Sequence, residues 1–209
     1  MQTQSLLTNL LDKSTVEGLH SSLVSILRQN RDEHNEAFSR AGILARVNTP
    51  AQTSNSTNEI SVVNIALEAK AVNKTGALRL TVHGDLTNNT GGNVNYTFRG
   101  KLGASTFYNS GNTATVIGAS ANPRGWRFTA DIVNKNAYNA QVAWGCLEIT
   151  PANATQGVIG AAAFLTSAPH ATLAIDLAAA STLVFSIQMG TASNNASFRI
   201  QAAILENLP

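Results

Sequence analysis

From Ile60 to the end of the sequence, apolar and polar residues alternate in short runs. This two-residue period limits the possible folds more strongly than any other feature of the sequence. The final segment, TLVFSIQMGTASNNASFRIQAAILENLP, shows the alternation twice, with a polar turn between the two runs. One run carries Leu183, Phe185, Ile187 and Met189 on a single face, and the other carries Phe198, Ile200, Ala202 and Ile204. Because strand side chains point alternately to opposite faces, the segment is predicted to be a hairpin with one buried face.

The same alternation recurs through the preceding hundred or so residues. The predicted inward sets are Leu78, Leu80 and Val82; Val94, Tyr96 and Phe98; Trp126, Phe128, Ala130 and Ile132; and Leu173, Ile175 and Leu177. The run YNAQVAWGCLEITP has apolar residues on both sides, which predicts a strand buried on both faces. Eight or nine short strands separated by Gly, Asn and Pro turns predict a mainly β fold, an antiparallel two-sheet jelly-roll sandwich over residues 60–209. A sandwich of another strand order gives the same pattern.

The first 48 residues carry a helical pattern and are predicted to form an N-terminal arm on the sandwich. A capping-box start at Ser14 and a helix-ending glycine at Gly42 bound an amphipathic α-helix over residues 14–41. A proline and a cluster of Ser, Thr and Asn then predict a linker, which we place at residues 49–59.

The apolar stripe of this helix is a candidate interface. Its members are Val16, Leu19, Leu23 and Ile26, with Asn30 at the next seam position and Phe38 further along. The spacing fits fewer than two heptads of a coiled coil, so it is compatible with a small helical bundle in which Asn30 fixes the register. Packing of the stripe on the chain's own sheet explains the pattern equally well.

Composition narrows the classes of function. Charged residues make up 12% of the chain and the formal net charge is +2, without the basic cluster that is typical of nucleic-acid binding. Cys146 is the single cysteine, so the fold does not depend on a disulfide or on an oxidising compartment. The sequence shows no secretory signal and no apolar run long enough for a membrane span, so we expect expression in a cytoplasm.

No catalytic or cofactor-binding motif is recognisable, and we expect neither enzymatic activity nor a cofactor. The histidines are His20, His34, His83 and His170, and the carboxylates of the sheet region that are candidates for a glycosidase pair are Asp85, Asp131, Glu148 and Asp176. The histidines lack metal-ligand spacing, and nothing in the spacing of the carboxylates selects a catalytic pair. Cys146 lies in an apolar strand, which is typical of an inert thiol.

The tyrosines are considered for contacts with other molecules, since aromatic rings stack on the apolar faces of sugars. Tyr108 and Tyr138 fall in loop-like contexts and are the candidates for exposed contacts. Tyr96 and Trp126 are explained more simply as core residues.

Three stretches resemble a family of tailed-phage virion proteins: ALRLTVHGDLTNNTGGNVNYTFRGKLGASTFYNSG, RGWRFTADIVNKNAYNAQVAWGCLEI and FRIQAAILENL. In that family a strand ending in NNTG leads into an alternating strand of the VNYTFRGKLG type, and the final strand ends in AILE. The resemblance covers about residues 60–209 and leaves the N-terminal helix outside. It implies a jelly-roll domain, commonly trimeric, that serves as a capsid cement protein or as a fibre or spike knob, with no cofactor and no enzymatic activity.

We therefore expect a virion structural protein, specifically a homotrimeric capsid cement (decoration) protein that stabilises the phage head by binding across subunits of the major capsid protein. It would assemble in the bacterial cytoplasm and lie on the capsid surface, without binding nucleic acid or membrane. The alternative is a trimeric fibre or spike knob, whose loops near Tyr108 and Tyr138 bind a host receptor or glycan. A polysaccharide-degrading enzyme is a third hypothesis.

Overall fold

The computed structural model describes residues 42–48, 51–111, 116–117, 120–150, 164–167 and 170–208, together with the single position Gln29. The helix predicted over residues 14–41 therefore lies outside the described residues. The domain boundaries drawn from the sequence remain predictions.

Within these residues the chain forms thirteen strands, most of which alternate between buried and exposed side chains. They are β1 (Gly42–Val47), β2 (Ala51–Ser54), β3 (Ile60–Leu67), β4 (Ala77–Asn88), β5 (Val94–Leu102), β6 (Ser105–Asn109), β7 (Val116–Ile117), β8 (Ser120–Asn134), β9 (Gln141–Ile149), β10 (Phe164–Ser167), β11 (Ala171–Leu173), β12 (Ser181–Met189) and β13 (Ala196–Leu208).

The described strands form two antiparallel sheets. The larger sheet has the order β1-β13-β4-β8-β9-β10, with β2 also pairing with β13 and β11 with β9. The smaller sheet has the order β3-β12-β5-β6, with β7 pairing with β5. Strands that are far apart in the chain are neighbours, since β13 lies between β1 and β4, and β12 lies between β3 and β5. This winding is consistent with a jelly-roll sandwich, and the fold is mainly β as predicted.

The core consists of the inner faces of the sheets, and most of the predicted inward residues are in it. The residues of these sets that are at most 4% exposed are Leu78, Leu80, Val82, Val94, Tyr96, Phe98, Trp126, Phe128, Ala130, Ile132, Leu177, Leu183, Phe185, Ile187, Met189, Phe198 and Ile200. An aromatic cluster joins the sheets, because the Phe185 ring of the smaller sheet lies 4.5 Å from Phe128 and 5.8 Å from Trp126 of the larger sheet. Each such side chain contributes about 1.5–3 kcal/mol by burial.

The last strand departs from the predicted alternation. Its fully buried apolar residues are Ala196, Phe198, Ile200, Ala203 and Leu205. The pairing with β4 shifts register between Ile200 and Ala202, so Gln201 is the extra residue of a β-bulge. A bulge moves every later side chain to the opposite face. The prediction that Ala202 and Ile204 lie on the buried face is therefore wrong, and both are only half-buried.

Two strands precede the predicted start of the sandwich at residue 60. β1 and β2 both pair with β13, which is long enough to take β2 along residues 197–200 and β1 along residues 203–207. Residues 51–54 are thus a strand of the larger sheet, where the sequence had predicted linker. Alternation over four residues is too short a signal to distinguish from a polar loop.

Candidate interaction surfaces

The interface residues predicted on the helix lie outside the described residues. They are Val16, Leu19, Leu23, Ile26, Asn30 and Phe38. Their role stays a prediction, and the surfaces below all belong to the sheets.

β1 is a strand at the edge of the larger sheet, and it carries two exposed apolar side chains. Ile43 is 46% exposed and Leu44 is 37% exposed, and they are the exposed large hydrophobic residues of the described chain. The pairing with β13 shifts register between Ile43 and Ala45, which leaves Leu44 as a bulged residue. An edge strand presents backbone N–H and C=O groups to a partner, so this edge combines apolar side chains with backbone groups that no described strand pairs. Such a combination favours contact with another protein segment.

The outer face of the larger sheet is covered by ion pairs that run across neighbouring strands. Arg79 Nε lies 2.7 Å from Asp131 Oδ1, Arg127 Nη2 lies 2.7 Å from Glu148 Oε2, and Arg199 Nη2 lies 2.9 Å from Asp85 Oδ2. The Arg79 pair is bidentate, with a second bond of 3.2 Å from Nη2 to Oδ2, and hydrogen bonding to Asp131 raises the pKa of Arg79. These exposed pairs contribute modestly to stability and mainly hold their side chains in place.

The sheet carboxylates considered from the sequence therefore have defined partners. Asp85 also accepts a 2.6 Å hydrogen bond from Gln201 Nε2, and Asp176 accepts one of 2.9 Å from the backbone N–H of Ala178. Among the described residues, no group of three or more His, Cys, Asp or Glu side chains is arranged to hold a metal ion. No described helix has the length and hydropathy to cross a membrane.

The two faces of β9 differ, contrary to the prediction of a strand buried on both. Its buried residues are Gln141, Ala143, Gly145, Leu147 and Ile149, and its outer residues Val142, Trp144, Cys146 and Glu148 are half-buried. Gln141 can be buried on the core face because its side-chain amide is fully hydrogen-bonded there. The amide NH₂ donates to the carbonyls of Tyr138 and Ile175, and the amide oxygen accepts a bond from the N–H of Ile175. Trp144 is consequently an outer-face residue.

Trp144 lies between an ion pair and a histidine. It is directly opposite Asp131 in the β8–β9 pairing, and its ring centroid is 5.4 Å from that of His170, with an angle of 52° between the rings. His170 is exposed and immediately precedes β11. No local sequence pattern predicts this grouping, since it depends on strand register.

Cys146 is half-buried on the same face. Burial raises the pKa of its thiol, and the nearby Glu148 carboxylate acts in the same direction. Both effects disfavour the reactive thiolate.

The two tyrosines predicted to be exposed differ from each other. Tyr108 is 1% exposed, and its ring lies 4.9 Å from Phe128 in the core, so the prediction that it is exposed is wrong. β6 contains a bulge opposite β5, so that Phe107 and Tyr108 both face inward. Tyr138 is half-buried and packs against the core, with Lys74 Nζ 5.7 Å from its ring centroid.

A charged cluster on the smaller sheet was not predicted from the sequence. Glu59, just before β3, accepts hydrogen bonds from Lys101 and Ser186 and a 3.2 Å bond from Arg99 Nη1. Burial raises the pKa of Glu59, but the hydrogen bonds from Lys101 and Ser186 and the two positive charges outweigh it, so the net shift is downward. The cluster fixes the segment that leads from β2 of one sheet to β3 of the other. The sequence feature that could have indicated this cluster is the pair of basic residues Arg99 and Lys101, which alternate along the stretch VNYTFRGKL.

Comparison with known proteins gives structural likeness only. No protein-family model and no curated protein sequence matches the chain. Among solved structures, a Lotus tetragonolobus seed lectin (isoform) has 7% identity and a TM-score of 0.33, covering 77% of this chain and 94% of that one. The lectin UEA-II in complex with galactose has 10% identity and a TM-score of 0.31, covering 81% of this chain and 86% of that one. The infectious bursal disease virus Gt strain structure has 13% identity and a TM-score of 0.29, covering 80% of this chain and 40% of that one.

Proposed function

We propose that the protein is a structural component of a tailed-phage virion, a homotrimeric cement protein that binds across subunits of the major capsid protein. The sequence resemblance over residues 60–209 supports the class of protein. The observation that carries the adhesive role is the pair Ile43 and Leu44, two large apolar side chains exposed on an edge strand of the larger sheet.

Covering the β1 edge with another protein segment lowers the free energy of the system. Apolar surface removed from water contributes about 25 cal/mol per Å², and backbone groups of an edge strand form hydrogen bonds with an added strand. Association has its own entropic cost, so one small edge gives weak binding by itself. A trimer that engages several sites on one shell strengthens the attachment through effective concentration.

The N-terminal arm is the second part of the proposed attachment. Its stripe, with Leu19, Leu23, Ile26 and Phe38 as the residues expected to bind, leads directly into β1. A deletion that removes the predicted helix must end at residue 41, because a longer one removes residues of β1 that pair with β13. No enzymatic activity, cofactor, nucleic acid or membrane is part of this proposal.

The test uses full-length protein and purified capsids that lack it. The double variant Ile43→Asp/Leu44→Asp places charges on the β1 edge, and Asn64→Asp, at an exposed position of β3, is the matched control. We expect wild type and control to cosediment with capsids and to raise the temperature of capsid rupture. We expect the double variant to bind at least about tenfold more weakly, with an unchanged thermal melting curve. Undiminished coating by the double variant would exclude this edge as the contact.

A fibre or spike knob that binds a host receptor is the second candidate function, and the outer-face grouping around Trp144 is the observation that favours it. Adsorption of the isolated protein to host cells separates the two. Strong, saturable adsorption together with no binding to capsids supports the knob, and the reverse supports the cement protein.

A further inference from the structure

The outer face of the larger sheet contains a row of five side chains that come from four strands and one adjoining segment. In order across the sheet they are Glu206, Arg79, Asp131, Trp144 and His170, which we call the Trp144 row. The first four occupy directly opposite positions on β13, β4, β8 and β9. Directly opposite side chains on one face are the closest neighbours in a sheet, so the row is continuous.

Trp144 is the aromatic indole of the row, between Asp131 and His170, and its position is not required by the core. Trp126, the other tryptophan of the chain, is 4% exposed and stacks on Phe198 at 4.4 Å. Trp144 is instead half-buried on the outer face, where no hydrogen-bond partner of its indole N–H is found among the described residues. The His170 ring meets it at 52° and does not stack on it. An outward aromatic ring whose N–H faces away from the core is suited to a ligand that has an apolar face edged by polar groups.

The ion pair beside Trp144 supplies the polar part of such a site. The bidentate bonds at 2.7 and 3.2 Å hold Asp131 and Arg79 in one orientation. The side chain of Asp131 is 14% exposed and that of Arg79 is 44% exposed, so the pair remains in contact with solvent. Carboxylate oxygens keep further acceptor positions and the guanidinium keeps further N–H donors. Hydroxyl groups, which both donate and accept, match this combination.

The charges of the row select among ligands. Two acidic residues flank a single arginine, and Glu206 also acts electrostatically on Arg79. The row therefore does not attract anions such as phosphate, sulfated sugars or sialylated sugars.

We infer that the Trp144 row is a carbohydrate-binding site for a neutral hexopyranose unit of a glycan. The apolar face of the sugar ring packs on Trp144, and its hydroxyls bind Asp131, Arg79 and the imidazole of His170. Such a site differs from the loops near Tyr108 and Tyr138 that the sequence had indicated. It concerns the outer face alone and does not depend on whether the protein is a cement protein or a knob.

The experiment titrates full-length protein with neutral oligosaccharides of the glucose, galactose and mannose series, followed by calorimetry and by the two tryptophan indole N–H signals in NMR spectra. We expect one of these series to bind and to shift the Trp144 signal while the signal of the buried Trp126 stays in place. Trp144→Ala and Asp131→Asn should each weaken binding at least about tenfold, Trp144→Phe should retain part of the affinity, and the control His83→Ala, on the same face but outside the row, should bind as wild type.

Three outcomes would overturn the site. They are the absence of binding by all three neutral series, binding that leaves the Trp144 signal unshifted, and binding that survives Trp144→Ala. Loss of capsid coating in Trp144→Ala, together with no sugar binding by wild type, would instead identify the row as a protein contact. Unchanged melting curves establish that each variant is folded.

Discussion

The indole ring of Trp126 lies over Gly84, its direct cross-strand partner on β4, in the space that a side chain at position 84 would occupy. A Cβ added to Gly84 would overlap this ring and also the backbone carbonyl oxygen of Arg199 on β13. The glycine thus allows the largest side chain of the core to bridge β8 and the aromatic cluster at Phe198 and Phe185.

Gly84→Ala is expected to destabilise the fold by about 2–3 kcal/mol, because neither the backbone oxygen nor the packed ring can move away cheaply. Gly125→Ala on β8 is the matched control, since its Cβ would meet only Thr150 Oγ1 at 3.8 Å. The control should change stability by no more than about 0.5 kcal/mol in urea denaturation. Equal stability of the two variants would contradict the packing role of Gly84.

Deletion of Gln201 should leave the protein folded. Without the bulged residue, Ala202 follows Ile200 directly, and Ala203 and Leu205 stay opposite Val82 and Leu80 on the buried face. Gln201→Ala keeps the bulge and removes only the 2.6 Å bond to Asp85, so it should cost less than about 1 kcal/mol. The soluble fraction after expression and the melting curve measure the effect of both changes. An insoluble deletion variant would show that the bulge itself is required for the pairing of β13 with β4.

The two-sheet fold could be predicted because the alternation of apolar and polar residues is visible within each strand. The residues of β6 and β13 whose burial was predicted wrongly lie at or after β-bulges. At Gln201 the bulge reverses the buried face, and in β6 it turns both Phe107 and Tyr108 inward. A bulge is set by pairing with a distant strand, so the sequence around Tyr108 is equally consistent with an exposed turn.

The Trp144 row also could not be predicted, because it depends on how distant strands pair. Arg79 and Asp131 are 52 residues apart, and they meet because β4 and β8 are neighbours in one register. Periodicity indicates which side chains share a face within a strand, but neither strand order nor register follows from it. The predicted contacts of Tyr108 and Tyr138 relied on local loop composition alone.

Glu59→Gln should lower stability at neutral pH by roughly 1 kcal/mol, because it removes the charge that Lys101, Arg99 and Ser186 bind. The pKa of Glu59 is lowered in the folded state. Its stabilising contribution is therefore present above the unfolded-state pKa and is lost as the pH falls through the folded-state pKa. Denaturation from pH 7 to pH 3 should show wild type and variant converging at the acid end.

Glu68→Gln is the control for this series, since Glu68 is an exposed carboxylate near the end of β3 without a side-chain ion pair among the described residues. It should follow wild type at every pH. A constant difference between wild type and Glu59→Gln across the whole pH range would mean that the cluster acts through packing and not through the charge.

Cys146 should be alkylated slowly by iodoacetamide in the folded protein. Burial and the Glu148 carboxylate raise the pKa of the thiol, so the rate should reach its plateau at higher pH than in urea-denatured protein. Glu148→Gln should shift the pH–rate profile toward lower pH, since one of the two causes is removed. The single cysteine makes the measurement unambiguous. A folded-state profile at or below the denatured one would be inconsistent with the described surroundings.

Strand β13 has consequences for the timing of folding during synthesis. It is the last described strand to leave the ribosome, yet it pairs with β1 and β2 on one side and with β4 on the other. Until residues 196–208 emerge, β1 and β2 lack the strand with which they pair among the described residues, and one edge of β4 is without its partner. Contacts between such distant parts of a chain form slowly. A nascent chain is therefore exposed to aggregation until residues 196–208 are made, which favours shielding by chaperones over folding in stages.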